Sequence, residues 1–136
     1  MNTKILMMAS AVVMLLFGVL LQFLPHEVLR QLGATTEGVV PLMLQLAGAL
    51  YLGFAVMNWM AKAVLIGGIY ARPLAIGNLA HFLIGALGLI KFALSNGASP
   101  VIWVIAIVYS IFAVLFGIVF MTHPGKKVEW RVESRE

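Results

Sequence analysis

The sequence predicts an all-α integral membrane protein that folds as a single antiparallel four-helix bundle. The first observation is a set of four apolar runs, at residues 5–24, 39–61, 73–94 and 101–121 of the 136-residue chain. A helix rises about 1.5 Å per residue, so roughly 20 residues cross a hydrocarbon core about 30 Å thick. The second observation is composition: 62% of the residues are hydrophobic and 10% are charged, whereas about 25% are charged in a soluble domain. The other segments are too short to bury a core of their own, so we expect one transmembrane domain, 1–136, with a basic tail at 122–136.

The first run is expected to be a retained helix. Lys4 precedes it, and a basic residue also precedes the apolar part of a secretory signal peptide. This run, however, continues unbroken to Leu24 and is not followed by a small-x-small cleavage site. Pro25 then ends the helix.

A short amphipathic segment at residues 25–33 follows the first span. Val28, Leu29 and Leu32 share one face, and Gly33 is placed to end the segment in a left-handed conformation. We expect this segment to lie on the outer membrane surface. After a turn at 34–38, the second helix should begin near residue 39, with Pro41 in its first turn.

The connection between the second and third spans is apolar, although Lys62 and Arg72 flank it. Backbone groups cannot stay unpaired in lipid, so residues 63–70 must extend the second helix, lie flat at the interface or be buried against other helices. Gly67 and Gly68 supply the break, and Pro73 suits the first turn of the third helix. A polar turn at 95–99 precedes Pro100 and the fourth span.

Basic residues divide unequally between the two sides of the predicted bundle. One side holds Lys4, Lys62, Arg72, Lys126, Lys127, Arg131 and Arg135, and the other holds Arg30 and Lys91. Short segments rich in Lys and Arg stay on the cytoplasmic side of a membrane. We therefore predict that both termini are cytoplasmic, and we attribute the net charge of +4 to orientation and not to nucleic-acid binding.

Small residues mark the predicted helix contacts, because helices in lipid associate where their backbones can approach closely. The second span carries Gly48, Ala49 and Gly53. The third span carries small residues on one side as well, namely Gly77, Gly85 and Gly88. We therefore predict close contact between the second and third helices.

Polar side chains within the spans are the candidate binding residues, because they are costly in hydrocarbon and usually face a protein interior. The candidates in the spans are Asn58, Asn78, His81 and Tyr109. Gly67, Gly68 and Arg72 could present backbone N–H groups and a cation to an anionic lipid headgroup. Simpler roles compete: a buried histidine more often hydrogen-bonds within a core than binds a ligand, and a glycine pair more often only turns the chain. Lys91 could reach the outer interface and pair with Glu27 or Glu37.

Several function classes are disfavoured by the sequence. Cysteine is absent, which excludes disulfides, thiolate nucleophiles and iron–sulfur ligation. No carboxylate lies within a span, so a proton pump is not expected. None of the common catalytic motifs is present either, and no metal-ligand cluster can be identified, so we do not expect an enzyme.

Two kinds of function remain: an accessory subunit of a membrane complex, or a binder of a lipid-like ligand. Haem ligation by His81 and a small oligomeric channel are alternatives; His26 and His123 lie outside the spans, so bis-histidine ligation would need a second subunit. No cofactor is otherwise expected. The expected partners are membrane lipids, a membrane-protein partner or further copies of the chain.

Two segments accompany the four-span layout: Leu24-Pro25-x-x-Val28-Leu29 after the first span, and Gly67-Gly68-Ile69-Tyr70-Ala71-Arg72-Pro73-Leu74-Ala75-Ile76-Gly77-Asn78 at the start of the third. With that layout, they resemble small bacterial four-helix membrane proteins of DoxX-like type. The resemblance implies a bacterial inner-membrane location. Charged residues typical of the first span in DoxX-like proteins are absent from this chain, so no redox or partner role transfers by position.

Overall fold

The computed structural model describes residues 3–62, 71–96 and 99–122. Throughout these residues the regular structure is helical, as the composition predicts, and no strand is found in them. The elements in chain order are α1 (Thr3–Phe23), α2 (Pro25–Gln31), α3 (Val40–Ala61), α4 (Ala71–Asn96) and α5 (Pro100–Thr122). The connection at 63–70, with its glycine pair, and the tail beyond residue 122 lie outside the described residues.

The long helices α1, α3, α4 and α5 are each long and apolar enough to cross a membrane. Each coincides with one predicted run to within two residues at either end. Their outward faces are apolar: Leu50, Ile84 and Met121 expose 68%, 70% and 80% of their surface. Such a surface is poorly matched to water but well matched to lipid.

The short helix α2 ends in the glycine-based motif that the sequence predicts. Gly33 has a φ of 67°, which is the left-handed region that glycine adopts without steric cost. The Gly33 N–H donates to the Arg30 carbonyl, and the Ala34 N–H donates to the Leu29 carbonyl at 2.9 Å. This is a Schellman motif, and it turns the chain sharply from α2 toward α3. Leu29 is buried, while Leu32, predicted to share its face, is largely exposed.

The closest helix pairs are α1 with α3 and α4 with α5. The prediction that the second and third spans make close contact is therefore wrong for the backbone, since α3 and α4 meet mainly through side chains. The reason lies in which glycines face a neighbour. A Cβ atom on Gly48 would lie 2.7 Å from the backbone nitrogen of Gln22, so Gly48 lets α3 approach α1 and not α4.

All four long helices contribute to one apolar core. Met7 and Met14 enter it from α1, Ala55 from α3, and Phe82 from α4. Rings from α4 and α5 stack there, with the centroids of Phe82 and Phe112 4.7 Å apart. The core therefore joins the α1–α3 pair to the α4–α5 pair.

Candidate functional site

A closed network of polar side chains links α1, α3 and α4. The amides of Asn58 and Asn78 donate to each other's oxygens, each at 2.7 Å. Asn58 Nδ2 also donates to Ser10 Oγ at 3.1 Å, and Asn78 Nδ2 donates to the Leu74 carbonyl at 2.9 Å. Ser10 Oγ in turn donates to the Met7 carbonyl.

This amide network is saturated within the protein. Ser10, Asn58 and Asn78 are each 0% exposed, and both hydrogens of each amide already have an acceptor. None of the three lines either of the cavities that are described below. A fully paired polar network in a dry interior fixes how helices pack.

A second polar group, the tyrosine–histidine cluster, consists of Tyr51, Tyr109 and His81. The Tyr51 and Tyr109 hydroxyls are hydrogen-bonded to each other, and the Tyr109 hydroxyl lies 3.4 Å from His81 Nε2. The His81 ring packs edge-on against Tyr51, with centroids 5.1 Å apart, and is tilted against Phe54 at 5.2 Å. The cluster therefore joins α3, α4 and α5 by hydroxyl, imidazole and aromatic contacts.

Gly85 makes room for this cluster on α4. A Cβ atom at this position would lie 2.6 Å from Cε1 of the Tyr109 ring, far inside van der Waals contact. Phe17 of α1 closes the other side, with its centroid 5.8 Å from that of Tyr51 and 6.2 Å from that of Tyr109. The absence of a side chain at Gly85 thus lets the Tyr109 ring lie directly against the α4 backbone.

A cavity of about 670 Å³, which we call the α2 cavity, runs from this cluster to α2. Its inner end is formed by Phe17, Tyr51, Gly85 and Tyr109. Its walls and its mouth beside α2 are formed by Leu20, Leu21, Leu24, Glu27, Val28, Gln31, Leu32, Leu89, Val101, Ile102 and Ile105. The wall is apolar, with polar side chains only at its two ends, and its volume is in the range of small-molecule sites, roughly 300–1,000 Å³.

A second and more open space, the α3–α4 cavity, also adjoins the cluster and measures about 450 Å³. Its lining residues are Tyr51, Phe54, Gly77, Ala80, His81, Ile84, Gly85 and Tyr109. Tyr51, Gly85 and Tyr109 therefore belong to the walls of both cavities. The tyrosine pair therefore adjoins both spaces.

The structure separates the predicted binding residues into three places. His81 and Tyr109 come together at the cavities, whereas Asn58 and Asn78 form the saturated network. Arg72 is exposed at the start of α4, away from both cavities. Gly67 and Gly68 lie outside the described residues, so the anionic-headgroup site suggested there stays a prediction.

The predicted packing glycines also differ in their surroundings. Gly48 and Gly85 are closely covered, and Gly77 would place a Cβ atom 3.8 Å from Phe54. Gly53 and Gly88 have no atom within 4 Å of that position. Ala49 lies on α3 beside Gly48, on the helix that approaches α1.

The predicted pairing of Lys91 with Glu27 or Glu37 is not formed. Glu27 instead pairs with Arg30 one turn along α2, at 3.3 Å, and this is the one ion pair among the residues that the structure describes. Because both groups are largely exposed, the pair contributes little to stability. Glu27 remains at the mouth of the α2 cavity.

The sequence reasoning missed Tyr51 and the cavity mouth. Tyr51 could have been identified from its spacing, because it precedes Asn58 by seven residues and therefore shares the inward face of the same helix. Glu27 and Gln31 are one turn apart on the short amphipathic segment, so the sequence indicates that they are neighbours. It does not indicate that they lie over a cavity.

No metal-ligand cluster is found among residues 3–62, 71–96 and 99–122: they contain no group of three or more His, Cys, Asp or Glu residues that could hold a metal ion. Comparison with protein-family models, with curated proteins and with solved structures finds no match to this chain. The function of this chain must therefore be inferred from the cavities and the groups that line them.

Proposed function

We propose that this chain is a non-catalytic, multi-pass membrane protein that binds a lipid-like amphiphile, whose hydrocarbon chain occupies the α2 cavity. The observation that carries this proposal is the cavity itself, about 670 Å³ of space with an apolar wall and polar side chains at its ends. An amphiphile matches the mouth and the wall of this cavity, because it joins a polar headgroup to an apolar chain.

The membrane setting is supported by four helices that are long and apolar enough to span it. We propose the bacterial cytoplasmic membrane, with both termini cytoplasmic, on the basis of the uneven distribution of Lys and Arg. In this orientation α2 and the mouth of the cavity lie at the outer leaflet. The DoxX-like relationship stays a prediction.

The cavity is open to the surface of the protein, since Leu20 and Val101 in its lining are 45% and 57% exposed, and its apolar side chains lack the packing partners that a protein interior normally supplies. Water gains little in a space whose wall offers it few hydrogen bonds, whereas a hydrocarbon chain regains the dispersion contacts that the empty wall lacks. Since α1 and α5 contact each other only slightly, an acyl chain can reach the space from the surrounding lipid.

The mouth of the cavity supports the binding of an amphiphile over that of a plain hydrocarbon. Glu27 and Gln31 line the mouth from α2, where hydroxyl or amide groups of a headgroup would meet hydrogen-bonding partners. Leu29 anchors α2 to the protein, being only 3% exposed. A polar headgroup at α2 and a chain directed toward Tyr51 therefore match the two regions of the site.

The accessory-subunit alternative shares the membrane location but is not favoured by any contact in the structure. Haem ligation by His81 and a channel role also stay predictions, because no contact among the described residues favours either of them. An accessory subunit and a ligand binder can be distinguished by what the isolated protein retains. A subunit retains a stoichiometric protein partner, and a ligand binder retains a small amphiphile.

A matched pair of substitutions tests the proposal. Val101 and Val104 are both on α5 and are 57% and 60% exposed, but only Val101 lines the cavity. Val101→Trp should place an indole in the mouth, whereas Val104→Trp adds the same group to the outer surface. The measurement is native mass spectrometry of the full-length protein in mild detergent with added monoacylglycerol.

We expect wild type and Val104→Trp to retain one monoacylglycerol per chain. Val101→Trp should retain at least about fivefold less, because the indole and the acyl chain compete for one volume. Equal retention by the two variants would contradict the proposal. Co-purification with a stoichiometric second protein, unaffected by either substitution, would support the accessory-subunit alternative instead.

A further inference from the structure

We infer that the ligand of the α2 cavity carries a second, uncharged hydrogen-bonding group partway along its chain, and that the Tyr51–Tyr109–His81 cluster recognises this group. This inference rests on the proposed function and adds the chemical class of the ligand: an amphiphile with a hydroxyl or carbonyl group in its hydrophobic portion. A plain saturated acyl chain has no group that can form a hydrogen bond at the inner end of the cavity.

The inner end of the cavity differs chemically from its walls. Leu20, Leu21 and Ile105 make an apolar wall, but the wall ends at two tyrosines. The tyrosine hydroxyls bond to each other, and Tyr109 also reaches His81. A site that only had to hold hydrocarbon would be better served by phenylalanine, which has the same ring and no polar atom to desolvate.

The hydrogen-bonding capacity of the cluster is not exhausted by its internal bonds. Each hydroxyl has one hydrogen and two lone pairs, and a neutral imidazole has one donor and one acceptor nitrogen. When His81 Nε2 accepts from Tyr109, and Tyr109 accepts from Tyr51, the Tyr51 oxygen can still accept from a ligand hydroxyl. When Nε2 carries the hydrogen, the donors reverse, and the Tyr51 hydroxyl can donate to a ligand carbonyl.

The recognised group must be uncharged. The inner end is formed by aromatic and small residues, and no Asp, Glu, Lys or Arg is among the residues that line it or the adjoining α3–α4 cavity. A carboxylate, phosphate or amine placed there would lose its hydration without gaining an opposite charge, which is costly at this depth. A hydroxyl or carbonyl group loses much less and regains a hydrogen bond.

The geometry also sets the position of the group along the ligand. Phe17 lies against both tyrosines, and Leu24 lies at the mouth of the cavity. Leu24 directly follows α1 and comes seven residues after Phe17, a rise of about 10 Å at 1.5 Å per residue. With its headgroup at α2, a ligand would therefore present the middle of its chain to the cluster.

A competition experiment tests this class directly. Full-length protein in mild detergent receives equal amounts of two monoacylglycerols that have the same chain length, one saturated and one with a mid-chain hydroxyl. Native mass spectrometry gives the ratio in which the two are bound. Tyr51→Phe removes the hydroxyl and keeps the ring, and Ser110→Ala is the control, because Ser110 Oγ donates to the Ala106 carbonyl of its own helix and does not line either cavity.

We expect wild type and Ser110→Ala to favour the hydroxylated lipid by about three- to tenfold, the selectivity of one net hydrogen bond. Tyr51→Phe should bind the two lipids in nearly equal amounts. Should Tyr51→Phe fail to fold, Tyr109→Phe serves as the second variant, with the same expectation. Equal binding of the two lipids by wild type would overturn this inference and leave the proposed function standing, whereas binding of neither lipid would overturn the proposed function itself.

Discussion

The two polar groups inside this protein differ in what surrounds them. Ser10, Asn58 and Asn78 are completely buried, and every amide hydrogen among them has an acceptor. Tyr51 and His81 are only partly buried; Tyr51 and Tyr109 line cavities of about 670 and 450 Å³, and His81 lines the smaller of the two. Both groups link different helices, but only the tyrosine–histidine cluster adjoins the cavities.

This difference separates a packing role from a binding role. A saturated network loses stability when any member is removed, because the remaining partner keeps a buried and unpaired group. A cluster beside a cavity can lose a hydroxyl at small cost to the fold, while a ligand loses a contact that it needs. Stability and ligand selectivity should therefore respond to different substitutions, and each prediction below tests that separation.

The largest effect on stability is expected for Asn78→Leu. Loss of this amide leaves Asn58 with an unpaired oxygen and hydrogen in the core, which should cost about 2–3 kcal/mol of unfolding free energy. Reversible unfolding from mild detergent into SDS, followed by near-UV circular dichroism, measures the change. The double variant Asn58→Leu/Asn78→Leu should cost less than the sum of the single variants, and a strictly additive result would contradict the reciprocal pairing.

Ser10→Ala should give an intermediate loss of about 1 kcal/mol, because it removes one acceptor from Asn58 Nδ2. The effect stays moderate since Asn58 Nδ2 also lies 3.6 Å from Met14 Sδ, which can accept weakly. The same unfolding measurement applies. Selectivity between hydroxylated and saturated lipid should remain that of wild type, and a loss of selectivity would break the proposed separation.

Gly85→Ala should affect binding more than stability. The new methyl group would push the Tyr109 ring, whose Cε1 lies 2.6 Å from the Cβ position, and the adjoining cavities leave the ring space to move. Better helix propensity offsets part of the strain, so stability should change by less than about 1 kcal/mol.

Gly88→Ala is the matched control for Gly85→Ala. Gly88 is on the same helix, and apart from the adjacent helix backbone no atom lies within 4 Å of its Cβ position. Lipid retention should fall for Gly85→Ala and stay unchanged for Gly88→Ala in native mass spectra. If both variants retain the lipid equally, Tyr109 does not form part of the wall of the binding site.

A small effect on stability is also expected for Tyr51→Phe. The ring and its contacts with Phe17 and His81 remain, and one hydroxyl pair is lost, so unfolding free energy should change by no more than about 1 kcal/mol. A loss above about 2 kcal/mol, comparable to that of Asn78→Leu, would give Tyr51 a packing role like that of Asn78. The contrast between the two polar groups would then disappear.

Sequence reasoning located the helices well because their signal is local. Apolar length alone identifies α1, α3, α4 and α5, and Gly33 marks the end of α2 by its conformational freedom. Helix pairing could not be read the same way, because small residues show where a close approach is possible but not which neighbour makes it. Gly48 was recognised as a contact residue, yet it faces Gln22 of α1 and not α4.

The candidate site could be predicted only in part for a similar reason. His81 and Tyr109 were identified by their polarity within apolar spans, and they do come together. The cavity depends on how far apart α1 and α5 lie near α2, and no property of single residues encodes that distance. Asn58 and Asn78 show the limit of the same signal: polarity in a span indicates a need for partners, and these two residues satisfy that need with each other.

The most direct test of the account is an experimental structure of the full-length protein extracted with its native lipids. The account predicts continuous density in the α2 cavity, with a headgroup beside Glu27 and Gln31 and a chain that reaches Tyr51. A cavity found collapsed, with Leu21 and Ile105 in contact across it and no bound chain, would contradict it.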